Sequence, residues 1–192
     1  MSEDKRNLFE SLSYEIGQCK GCGLCQARTH AVPGEGNLDS PVLFVGEGPG
    51  GEEDRTGRPF VGPAGQLLDK MISAIGLKRS DVFIANVVKC RPPGNRTPEQ
   101  EEAEACMPFL RKQFMIIRPR IIVCLGATAA RHLIDSSIRI TKDRGNWYEK
   151  KGCRFLVTYH PSALLRDESK KKDAWEDFKS LKKALEEPEC QR

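Results

Sequence analysis

Val42-Leu43-Phe44-Val45-Gly46-Glu47-Gly48-Pro49-Gly50-Gly51 passes from an unbroken apolar run directly into a glycine-rich turn. A run this short, apolar at every position and bounded by turn residues, reads as a strand buried on both faces, the kind that parallel sheets use. Residues 82–88, 121–125 and 155–159 have the same character. Helical patterns separate them. Leu67, Leu68, Met71, Ile72 and Ile75 put an apolar face on residues 66–75, closed by Gly76. Thr97-Pro98-Glu99 predicts a helix start with Thr97 as N-cap, leading into residues 102–117, with Pro108 marking a kink. Residues 126–134 follow the third strand, and residues 171–185 read as an amphipathic helix. Alternating strands and helices predict a central parallel sheet covered on both faces, with ligands bound beyond the carboxyl ends of the strands. That edge carries residues 46–50, residues 86–91, Gly126 and His160-Pro161-Ser162.

The turn satisfies Gly-x-Gly-x-x-Gly through Gly46, Gly48 and Gly51, so a nucleotide-dependent enzyme has to be weighed. Against it, Glu52, Glu53 and Asp54 would crowd a pyrophosphate, and Asp69 falls inside a helix instead of ending a second strand. The same glycines can instead let backbone approach a flat base while Glu47 orients a water.

A chain of 192 residues suffices for one buried core, and we expect one domain over residues 1–192 with disorder confined to the ends. Lys and Arg exceed Asp and Glu by only 31 to 27, so overall charge does not by itself imply a nucleic-acid partner. The distribution is more informative: Lys89, Arg91 and Arg96 form an acid-free basic stretch. The start of the chain lacks the apolar core of a signal peptide, and no run is long enough to span a bilayer; a cytoplasmic, nucleoid-associated protein is expected, with no membrane partner.

In such a compartment eight cysteines read as metal ligands or buried thiols before disulfides. Cys19 and Cys22 form Cys-x-x-Cys in a glycine-rich turn, and Cys90 with Cys106 makes a second, wider pair; together they suit an iron–sulfur cluster, with zinc as the competing occupant. Cys25 can replace Cys22 in that set. Cys124, inside a strand, and Cys153 read as buried thiols, and Cys190 as a free thiol near the end of the chain.

Gly46-Glu47-Gly48-Pro49-Gly50, Thr56-Gly57-Arg58-Pro59-Phe60-Val61-Gly62, Asn86-Val87-Val88-Lys89-Cys90-Arg91-Pro92-Pro93 and His160-Pro161-Ser162 together resemble the family 4 uracil-DNA glycosylases. The resemblance implies a three-layer α/β/α fold around a four-stranded parallel sheet. It also implies a [4Fe-4S] cluster on Cys19, Cys22, Cys90 and Cys106, and hydrolytic excision of uracil from single- or double-stranded DNA. Phe60 would stack on uracil, Asn86 would read its amide edge, His160 would support O2, and Glu47 and Gly48 would complete the pocket. Glu47 separates the chain from family 5, whose first motif has no polar residue there. Two departures are Gly51, where many members carry Glu, and the additional Cys25.

The chemistry agrees with those residue types. A flipped-out base needs pocket contacts to offset its unstacking. An asparagine amide complements uracil N3–H and O4, whereas cytosine presents the reverse pattern. Charge developing on the leaving uracil calls for a donor such as His160. By the same resemblance Leu164, four residues past His160, sits where related enzymes push a leucine into the vacated space. Arg166, Lys89, Arg91, Arg96, Lys142 and Arg144 are placed as phosphate contacts. A monomer is expected, and no sliding-clamp contact is assigned. The rival from another class is a non-catalytic iron–sulfur module that binds nucleic acid; it would need neither Glu47 nor His160.

Overall fold

A computed structural model describes residues 3–187. Helix α1 (Glu3–Gln18) leads to the short edge strand β1 (Glu35–Gly36) and then to β2 (Val42–Gly46). Helices α2 (Gly51–Thr56) and α3 (Pro63–Ala74) precede β3 (Phe83–Asn86); α4 (Gln100–Ile117) precedes β4 (Ile121–Leu125). Helices α5 (Ala127–Leu133) and α6 (Ile140–Asp143) lead to the hairpin of β5 (Trp147–Lys150) and β6 (Cys153–Thr158); α7 (Pro161–Arg166) and α8 (Lys171–Glu186) follow.

The six strands form one sheet in the order β1-β3-β2-β4-β6-β5. Its centre, β3-β2-β4-β6, is the expected parallel quartet. The added edges β1 and β5 pair antiparallel to β3 and β6. They escaped the sequence reading because β1 has two residues without an apolar pattern, and β5 is an amphipathic edge with only partial burial. Chain order reverses direction around β2, which has β3 on one side and β4 on the other, so the crevice of an open α/β sheet opens beyond Gly46.

Alternate residues of each strand feed opposite faces. Leu43, Val45, Ala85, Ile122 and Val157 pack with Ala103, Leu110 and Ile117 of α4. Val42, Phe44, Ile84, Val123 and Leu156 face Leu68 and Ile72 of α3 and Phe178 and Leu181 of α8. This gives the α/β/α layering.

Several boundaries differ from expectation. Helix α4 starts at Gln100, with Glu99 rather than Thr97 as N-cap, because Glu102 turns back to accept the Glu99 N–H at 2.8 Å. The helix continues on both sides of Pro108. Strand β3 ends at Asn86, yet Val87 and Val88 still donate to the carbonyls of Gly46 and Glu47 before the chain leaves the sheet. At the N-terminal end, helix begins at Glu3 where disorder was expected. Cys190 lies outside the described residues.

Phe178 is fully buried and stacks on Phe44 with ring centroids 6.0 Å apart. Phe178→Ala is expected to cost about 3–5 kcal/mol in urea unfolding. A loss below about 1 kcal/mol would show that α8 does not close this face.

Candidate active site and cysteine centre

A cleft of about 580 Å³ lies at the carboxyl ends of the parallel strands and brings together Glu47, Gly48, Phe60, Asn86, His160 and Arg166. Gly46 permits the arrangement. A Cβ there would fall 2.5 Å from both Asn86 Oδ1 and Phe60 Cζ, so any side chain would drive the two apart. Phe60 has φ of 50°, left-handed backbone that a bulky residue adopts only under constraint. The constraint is visible on both sides. Glu53 accepts the N–H groups of Val61 at 2.9 Å and Gly62 at 2.8 Å with one carboxylate oxygen, and that of Gly50 at 3.1 Å with the other. From the opposite side Arg79 donates to the Phe60 carbonyl at 3.0 Å. Gly65 completes the fit, since a Cβ there would lie 1.9 Å from the Phe60 oxygen.

Asn86 is buried at the end of β3, and its Oδ1 has no hydrogen-bond partner. A buried orphan acceptor is costly unless a ligand satisfies it. His160 follows β6, its ring centroid 5.5 Å from that of Phe60. The Ser162 backbone N–H donates to His160 Nδ1 at 3.1 Å, so that nitrogen carries no proton and the neutral ring keeps its hydrogen on Nε2. Burial, with Arg166 adding repulsion, pushes the imidazole down to about 4. The ring is therefore a neutral donor at pH 7. Glu47 accepts a short hydrogen bond from the Thr128 hydroxyl.

Sequence reasoning missed Glu53 and Thr128. Glu53 had a readable signal, because it stands three residues after Gly50, the N-cap of α2, at the reach-back position of a capping box. Thr128 had none, since its partner Glu47 is far away in sequence.

The structure corrects several DNA-facing expectations. Lys89 is 1% exposed, with its ammonium on the Asn86 carbonyl and Gln113, so it cannot meet a phosphate. Leu164 is also 1% exposed and packs with Tyr159 and Ala174, which leaves it no freedom to act as a wedge; Leu165, 45% exposed, is the surface leucine of α7. Arg144 is turned inward against Asp177 and the Asp173 carbonyl. Arg96 reaches the cleft but forks onto Glu102 at 2.8 and 2.7 Å. Arg166 is exposed on the cleft wall and Lys142 is exposed on α6. Arg91 is held by Asn95 at 2.8 Å, its guanidinium 3.5 Å from where a side chain on Gly51 would begin.

Cys19, Cys22, Cys90 and Cys106 border one pocket floored by Ile16 and Phe109, and Cys25 borders it too. Three sulfurs accept N–H bonds: Cys19 from Gly21 at 3.3 Å, Cys106 from the Lys89 backbone at 3.2 Å, and Cys90 from the Arg28 guanidinium at 3.1 Å. Burial pushes the Cys106 thiol up to about 11 and raises Cys90 as well, with Lys89 and Arg28 acting in the opposite direction. Among the described residues no three His, Cys, Asp or Glu side chains stand as they would round a single metal ion, and the cysteines there form no disulfide. Cys124 is buried in β4, and Cys153, half-buried, donates to the Pro119 carbonyl at 3.3 Å; both fit the reading as structural thiols.

The profile of the Uracil DNA glycosylase superfamily matches residues 33–179, and the chain belongs to that superfamily. It is similar to a type-4 uracil-DNA glycosylase of Thermotoga maritima, 52% identical over 167 residues that cover 86% of this chain and 87% of that protein. A type-4 uracil-DNA glycosylase of Archaeoglobus fulgidus is 43% identical over 181 residues, 90% of this chain and 91% of the relative. A type-5 uracil-DNA glycosylase of Pyrobaculum aerophilum is 35% identical over 150 residues, covering 69% and 66%. Identity and coverage place the chain in the type-4 branch. No helix among the described residues is long and apolar enough to cross a membrane.

The depressed His160 sets a sign for pH dependence. Its folded value lies below the unfolded one, so the unfolded chain takes up the proton first; the stability due to His160 is present above about 6.5 and is lost as pH falls towards 4. In an NMR titration the His160 ring should hold the Nε2–H form with no inflection between pH 5.5 and 8. A midpoint near 6.5 would remove the neutral-donor assignment.

Proposed function

We propose that this chain is a monofunctional DNA glycosylase that flips uracil from single- or double-stranded DNA into the cleft and hydrolyses its glycosidic bond, acting as a one-domain monomer in the cytoplasm. The observation that carries the reading is the orphan Oδ1 of Asn86 beside the Phe60 ring. Uracil N3–H satisfies that acceptor, the Asn86 amide nitrogen donates to O4, and Phe60 stacks on the base. Cytosine offers a bare N3 and an amino group, leaving both halves of the amide mismatched.

As the bond breaks, negative charge gathers on uracil and positive charge on the sugar. His160 Nε2–H donates to O2, and a neutral imidazole is sufficient because it gives a hydrogen bond without transferring a proton. Glu47, held by Thr128, orients the water that attacks C1′ and faces the developing positive sugar. Arg166 holds a phosphate on the cleft wall, Arg91 holds another beside Asn95 and Gly51, and the wedge role passes from Leu164 to Leu165.

The cysteine pocket fits a [4Fe-4S] cluster on Cys19, Cys22, Cys90 and Cys106: the donors are all sulfur, the floor is apolar, and N–H groups already point at three sulfurs. Bound there, the cluster supplies a structural cross-link with electron-accepting character, joining the segment after α1 to the chain leaving β3. Cys25 stands close enough to the same pocket to serve as substitute ligand.

Anaerobically purified protein incubated with an oligonucleotide bearing one uracil, then treated with alkali, should break only the uracil strand, with thymine and cytosine controls intact. His160→Ala should slow single-turnover excision by about 10²–10³-fold, roughly 3 kcal/mol, and Glu47→Ala should slow it while uracil-DNA binding persists. Absence of cleavage from iron-replete protein would favour the non-catalytic binding module.

Iron and sulfide analysis tests the centre separately. Cys90→Ala should lose the brown chromophore and much of its solubility. Soluble variant with full iron content would remove Cys90 from the ligand set, and zinc in place of iron in the wild type would replace the cluster assignment.

A further inference from the structure

Lys89 carries its charge deep inside the protein, yet the groups its ammonium meets are neutral: the Asn86 carbonyl at 2.8 Å and Gln113 Oε1 at 2.7 Å. Gln113 is not free to turn away, because its amide nitrogen donates to the Pro33 carbonyl at 2.6 Å. A buried ammonium with no counter-charge is strongly unfavourable, and no carboxylate among the described residues pairs with it. The same residue donates its backbone N–H to Cys106 Sγ at 3.2 Å and borders the sulfur pocket. Lys89 therefore touches the cysteine centre at one end and, at the other, the last residue of β3, whose side chain presents the orphan acceptor.

We propose that Lys89 is a positioning residue shared by the two sites, its buried charge balanced by the sulfur-held cluster and its ammonium fixing Asn86 for base reading. The inference rests on the cluster and base-reading assignments made above. It gives the cluster a part in recognition that needs no electron transfer. The Lys89 backbone N–H is anchored on Cys106 Sγ, and the Lys89 ammonium holds the Asn86 main chain at the depth where the amide meets the base. Arg28 also reaches a sulfur, that of Cys90, but otherwise binds the Gly17 carbonyl and does not line the cleft.

The test compares the wild-type holoprotein with two variants. Lys89→Met keeps the aliphatic stem and removes the charge; Gln113→Glu keeps the shape and gives the ammonium a carboxylate. The cluster's reduction potential is measured by redox titration with electron paramagnetic resonance, and KM and kcat are measured on the single-uracil oligonucleotide. Removing or neutralising nearby positive charge disfavours added negative charge, so the potential should move more negative in both variants. In Lys89→Met, KM should also rise about tenfold, as expected for loss of one charged hydrogen bond, with kcat changed less. An unmoved potential in both variants, or an unmoved KM in Lys89→Met, overturns the coupling. Should Lys89→Met fail to fold, Gln113→Glu decides alone: a negative shift supports the proposal and an unmoved potential defeats it. Wild-type protein that lacks the cluster or leaves uracil in place overturns the parent reading instead, and this one with it.

Discussion

Phe60 and Asn86 meet over the bare backbone of Gly46, and that close approach governs the rest of the cleft. With 2.5 Å between a hypothetical Gly46 Cβ and either neighbour, the end of β2 has no room for a side chain. The ring must then be delivered by a loop bent into left-handed backbone, which is stable only because Glu53 and Arg79 clamp it and Gly65 lets α3 sit against it. The glycine turn that resembles a phosphate cradle is thus used for something else. Its carboxylates do not repel a ligand in the cleft so much as organise the walls: Glu53 ties three backbone N–H groups and Glu47 is aimed by Thr128.

The parallel quartet was legible because short, mostly apolar runs bounded by turn residues alternate with helical patterns, which fits a sheet covered on both faces. Motif residues at the strand ends were legible for the same reason: once the strands are fixed, Gly46, Asn86 and His160 must share one edge. The antiparallel edges were not, since two residues of β1 and the half-exposed β5 have no periodicity to detect. Direction of side chains was least legible of all. Lys89 sits in a basic stretch and looks like surface, yet it follows β3 inward; Leu164 and Leu165 are indistinguishable by type, and only the packing of α7 on Tyr159 and Ala174 decides which is buried. Arg144 likewise looks available until α8 brings Asp177 beside it.

Two buried polar features differ in what they contribute. Asp177 accepts from Arg144 and from Thr158 at 2.7 Å, a satisfied network that ties α8 to the end of β6. Asn86 is left with an unsatisfied oxygen, an arrangement that works against stability and is expected where a ligand completes the bonding. The contrast is between a buried acid whose bonds are closed within the protein and an amide oxygen left open at the cleft. His160 is on the satisfied side of this contrast: one nitrogen is committed to Ser162 so that the other is left with its hydrogen facing the cleft.

The pocket bordered by Cys19 and Cys22 is completed by Cys90 and Cys106, which belong to the exit of β3 and to α4. During synthesis the first pair leaves the ribosome long before the second, so its thiols wait, exposed, until α4 has been made. The turn after α1 cannot take its final place while the chain is short. Closure of this pocket is therefore ordered in time by the placement of its cysteines: the sheet must begin to assemble before the segment after α1 can meet Cys90 and Cys106.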